Sequence, residues 1–62
     1  MTLQEIKSAV NQGKNVYWKN TAYKVVKGYF NQYLIVHEHS VIGLTWLDGV
    51  TMNGAESDFF TE

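Results

Sequence analysis

The hydrophobic period changes once, at Asn15, and that change constrains the fold more than any other feature of this sequence. Before it, Leu3, Ile6 and Val10 recur at helical spacing, with Ala9 beside them, while Gln4, Lys7, Ser8 and Asn11 fall on the other side. Thr2 with Glu5 three residues later has the spacing of a capping box, and Gly13 stands where a left-handed C-terminal cap belongs. The spacing predicts a helix over 2–12. A helix of about ten residues is marginal alone, so it must dock on something.

After Asn15 the period is two. Strands are expected over about 15–19, 22–27, 32–37, 41–47 and 50–52, followed by an acidic tail over 55–62. Asn20-Thr21, Asp48-Gly49 and Asn53-Gly54 supply turn signals. The expected fold class is α+β: an N-terminal helix packed on one face of a small antiparallel β-meander of three to five strands. With 62 residues, it is read as a single small domain over 1–62.

Register follows from the pairing that gathers the apolar side chains, because a slip of one residue exchanges the faces. A four-residue loop at 28–31 sets Val25 opposite Leu34, and a three-residue loop at 38–40 sets Val36 opposite Ile42. Both pairings gather Tyr23, Val25, Leu34, Val36, Ile42, Leu44 and Trp46 on the face expected to meet the helix. The other face would then carry Lys24, Val26, Tyr33, Ile35, His37, Val41 and Thr45. A solvated sheet face is mostly polar, so this surplus of apolar side chains asks for a cover. Phe59-Phe60, a second copy of the chain, or a different partner are the three candidates. The possible partner-binding residues are therefore Trp18, Val26, Tyr33, Ile35 and Val41, with Trp18 expected on a strand near a sheet edge.

Composition removes whole classes of function. The chain has no cysteine, which excludes a disulfide framework, a thiolate metal site and a cysteine nucleophile. Its serines lack the context of a nucleophile elbow, and its five glycines never reach the spacing of a phosphate-binding loop. No catalytic residue, cofactor or metal is expected, and the reading is of a non-enzyme. His37 and His39 could share a direction on a strand, but the favoured register puts His39 in a turn. No apolar run has the roughly 18 residues that a membrane span needs, so no membrane partner is expected.

The charge of −1 conceals a division. The first 31 residues hold five lysines against Glu5, a net of +4, and the last 31 hold five carboxylates and no lysine. The basic half is also aromatic, which gives an alternative function: weak single-stranded nucleic-acid binding through Tyr17, Trp18, Lys19, Lys24 and Tyr29. The absence of arginine and the slightly acidic total argue against it. Cross-strand pairing of opposite charges is the plainer account of the division.

At Gly43-Leu44-Thr45-Trp46-Leu47-Asp48-Gly49-Val50-Thr51-Met52-Asn53-Gly54 the chain resembles a group of short hypothetical proteins of bacteria and their phages. The likeness extends to the N-terminal helix, to Val16-Tyr17-Trp18 and to Phe59-Phe60. It implies a soluble, cytoplasmic accessory protein and transfers no functional residue. Together the readings give a small non-enzymatic protein-interaction or accessory module, with a homodimer or an unidentified protein as partner.

Overall fold

Thr2 caps the helix as its spacing predicts. In the computed structural model, which describes every residue from Met1 to Glu62, α1 spans Leu3–Asn11. The Thr2 hydroxyl accepts from the Glu5 N–H at 3.1 Å, and the Thr2 N–H donates to the Glu5 carboxylate at 2.8 Å. That backbone bond, with the Thr2 hydroxyl behind it, holds the Glu5 carboxyl below its ordinary pKa. At the other end Gly13 has φ +82°, and the Gly13 and Lys14 N–H groups close onto Val10 and Ala9. This is a Schellman ending, which needs a residue that tolerates positive φ.

Five strands follow: β1 (Val16–Trp18), β2 (Asn20–Lys27), β3 (Tyr33–His37), β4 (Ser40–Gly43) and β5 (Phe59–Thr61). They form one antiparallel sheet in the order β4-β3-β2-β1-β5. The chain is thus one N-terminal helix against a five-stranded antiparallel sheet, an α+β domain as expected.

The expected register is corrected at β3. Val25 lies opposite Ile35 rather than Leu34, and Ile35 opposite Ile42 rather than Val36 opposite Ile42. The reason lies in two loops. The β2–β3 connection has five residues, 28–32, closed by the Gly28 N–H donating to the Gln32 carbonyl at 2.7 Å. The β3–β4 turn has two, Glu38 and His39, between the paired His37 and Ser40. One loop is a residue longer than expected and the other a residue shorter. β2 and β4 therefore keep their expected faces, and β3 alone is turned over.

The core is built on the corrected face. Ile6, Ala9, Val16, Val25, Ile35, Leu44 and Phe59 are buried, with Met1, Leu3, Val10, Trp18, Tyr23, Tyr33, Ile42 and Met52 packed around them. Ile35, expected on the second face, is fully buried at 0% exposure. Trp46, expected in the core, is exposed, because the chain leaves β4 at Gly43 instead of continuing to Leu47. The segment after Leu44 crosses over the core beside the helix, where Gly54 lies against the Trp18 indole. It contains a single bridge, Thr45 to Met52, in place of the strand expected at 50–52.

The tail is a further correction. Phe59–Thr61 pairs with β1, which makes β1 an interior strand and not an edge. Alternation then divides the two phenylalanines. Phe59 enters the core opposite Trp18, and Phe60 sits on the far face opposite Tyr17.

Candidate functional site: the open face of the sheet

Tyr17, Val26, Leu34, Val36, Val41 and Phe60 all project from the face away from the helix, as the ladder fixes. None of the six belongs to the core cluster or packs against it. α1 lies over β1 and β2 on the other side, and Leu44 and Met52 anchor the 44–54 segment there too; at the end of the sheet the 28–32 loop and residues 45–49 come round to Leu34. Five of the six are half-buried by their neighbours, and Val41 on the edge strand is 61% exposed. The Tyr17 and Phe60 rings touch, with centroids 5.6 Å apart. Lys24, exposed and paired with Tyr17 and Val36 in the ladder, is the one charged residue within the patch.

The sequence-derived candidates divide across the sheet. Val26 and Val41 are on the open face, as expected. Ile35 and Tyr33 are not: β3 presents them to the helix, and the Tyr33 hydroxyl donates to Asn11 Oδ1 at 2.9 Å. Their places on the open face are taken by Leu34 and Val36, which the expected register had assigned to the core. Trp18 also faces inward, between Tyr23 and Phe59 with centroids 5.3 and 6.3 Å away. Its indole N–H is buried without an acceptor, and the Lys19 ammonium lies 4.4 Å from the ring centre. Tyr17 and Phe60 were missed. Alternation in Val16-Tyr17-Trp18 would have placed Tyr17 had the pairing of β1 with β5 been foreseen.

The proposed basic and aromatic surface is dispersed. Tyr17 and Lys24 share the open face, Trp18 is on the core side, and Tyr29 stands on the β2–β3 loop at the other end of β2. The lysines do not pair with carboxylates either. The one approach of a carboxylate to a basic side chain within 4 Å is Glu38 to the His39 ring, 3.9 Å apart on the β3–β4 turn. His37 stacks on Tyr23 at 4.5 Å between centroids, and its Nδ1 accepts from the His39 N–H at 3.4 Å. His39 belongs to the turn and not to the strand, so the two rings have no shared strand direction.

What this arrangement can do is bind an apolar surface. No helix of the chain is long and apolar enough to cross a membrane. No protein-family model, curated protein or solved structure matches this chain.

Proposed function

We propose that this chain is a non-enzymatic protein-interaction module that binds through the open face of its sheet, and that the occupant of that face is a second copy of the chain. The observation that carries the reading is the row of six apolar side chains excluded from the core. An antiparallel sheet with one face packed and the other in water should alternate apolar with polar, and this one is apolar on both.

Three features favour a second copy. Five strands at about 4.8 Å spacing make a face roughly 19 Å wide. A second copy of the same sheet presents a face of matching width. The patch is aliphatic over β2, β3 and β4, so it is complementary to itself, as a two-fold interface requires. Lys24 is its only charge, and the long stem of a lysine lets the ammonium reach the rim when the stem is covered.

Sedimentation equilibrium tests the reading. The mass should rise with concentration from 7.1 kDa toward twice that value. Leu34→Lys should hold the protein at the lower mass with its circular dichroism unchanged. A chain that stays monomeric up to about millimolar concentration would overturn the proposal, as would a dimer indifferent to Leu34→Lys; about 1 mM is where the weakest specific associations are populated.

A further inference from the structure

At the end of the sheet where β2 turns into β3, two loops hold apolar side chains in water. Phe30 is 95% exposed and Tyr29 scarcely less, while Leu47 is fully exposed and Trp46 and Val50 largely so. Neither loop is slack. Residues 28–32 are closed by the Gly28–Gln32 bond and by the Gln32 N–H donating to Tyr29. Within that loop Phe30 has φ +56° and ψ +37°, a left-handed conformation that is unfavourable for a bulky residue and normally left to glycine. Nothing inside the molecule compensates, because the Phe30 ring packs on no part of the core.

The second loop is tied by Asp48. Its carboxylate accepts from the Val50 and Thr51 N–H groups at 2.9 Å each and from the Thr51 hydroxyl. The Trp46 N–H donates to Thr51 at 2.8 Å and the Gly49 N–H to Trp46 at 3.0 Å. Between the two loops lies a cleft of about 380 Å³, with Phe30 on one wall, Trp46 and Leu47 on the other, and Tyr33 and Lys7 among its lining residues. The Lys7 ammonium lies 5.5 Å from the Tyr33 ring centre and has no carboxylate partner. No carboxylate lines the cleft at all, and Asn31 and Gln32 add side-chain amides.

We infer that this cleft is a docking site for an acidic peptide segment bearing a large apolar side chain. The apolar side chain enters between Phe30 and Trp46, two exposed rings whose facing sides it would take out of water. The adjacent carboxylate meets Lys7, the single unmatched charge of the cleft. The strain at Phe30 has a role in this arrangement, since it holds the ring out as a wall instead of letting it fold onto Leu34. Asp48 itself does not line the cleft, and its carboxylate is turned to the Val50 and Thr51 N–H groups. A nucleic-acid strand would find one lysine where several phosphates need partners.

The probe is a blocked hexapeptide of alternating glutamate and phenylalanine, titrated into the ¹⁵N-labelled full chain at low salt. Shifts should gather at residues 7, 30–33 and 45–49, leave Val26 and Val36 unmoved, and be accompanied by a change in Trp46 fluorescence. Lys7→Gln should weaken binding about fivefold, the effect of one partly exposed charge pair. Phe30→Gly should abolish binding while leaving the melting temperature equal or higher, which separates loss of the wall from loss of the fold. The same peptide with lysine in place of glutamate should not bind. Absence of shifts, equal binding of the lysine peptide, or full affinity in Lys7→Gln would each overturn the inference. Leu34 belongs both to the cleft lining and to the open face, so self-association is read at Val26, Val36 and Val41, which do not line the cleft.

Discussion

Gly54 shows how closely the segment after β4 is drawn over the core. A Cβ at this position would lie 2.6 Å from Trp18 Nε1, and the indole is fixed between Tyr23 and Phe59. Gly54→Ala should therefore cost about 1–3 kcal/mol, the usual range for overpacking. Urea denaturation measures it, and unchanged stability would mean that the segment lifts off at no cost. Asp48 acts by charge. The Thr51 hydroxyl, then the Thr51 and Val50 N–H groups, hold its carboxyl below the ordinary value. A depressed folded value means that the stabilisation is complete above the ordinary pKa, about 4, and is lost as pH falls through the lowered one. Exchange protection of the Val50 and Thr51 amides should accordingly survive at the ordinary carboxyl pKa and be lost only as pH falls through the lowered one, and Asp48→Asn should remove that acid limb. The turn at Asp48-Gly49 was legible from its dipeptide. The exposure of Trp46 was not, because that depends on where β4 stops.

At the scale of elements, the helix was fully legible, since its stripe, capping box and glycine stop are all local. The strands were legible as elements through their period of two. The facing of β3 was not. Alternation in Tyr33-Leu34-Ile35-Val36 is apolar in both phases, so the side chains themselves could not choose, and the choice passed to two loop lengths. Phe30 and Asn31 adopt positive φ without being glycine, which let a five-residue loop form where a four-residue one was expected. Of the candidate site, Val26 and Val41 were found because β2 and β4 kept their faces. Tyr33 and Ile35 were lost with β3. Paired substitutions test the register directly. Ile35→Lys places an unpaired charge in the core and should prevent folding. Val36→Lys lies on the open face and should cost less than about 1 kcal/mol in the isolated chain, the usual range for a surface change. Thermal melts by circular dichroism separate the two; the reverse outcome would restore the other register.

For the whole molecule, seven buried residues carry the core of a 62-residue chain. At about 0.05–0.15 kcal/mol per residue, a chain of this length has roughly 3–9 kcal/mol of total stability. Phe59 is 3% exposed and stacks on Trp18, so Phe59→Ala should remove about 3–5 kcal/mol, close to the whole margin at its lower end. Phe60→Ala, on the open face, should leave the fold standing. Guanidinium titrations of the two variants compare them, and equal losses would contradict the division of the pair between faces. The sequence marks Phe59-Phe60 as apolar within an acidic stretch, but does not show that residues 59–61 form a strand beside β1. That strand arises from a pairing between β1 and β5 some forty residues apart, and long-range pairing leaves no local mark.

The position of β5 also bears on how the protein comes into being. Translation proceeds from the N-terminus at about 5–20 residues per second, so α1 and the first four strands leave the ribosome before Phe59 does. Until then Val16 and Trp18 lack their outer neighbour, and β1 is a bare edge able to pair with other nascent chains. The Met1 amino group, which donates to the Glu56 carbonyl at 2.6 Å, waits for the same late segment. Ribosome-stalled chains should accordingly remain protease-sensitive until β5 has cleared the exit tunnel.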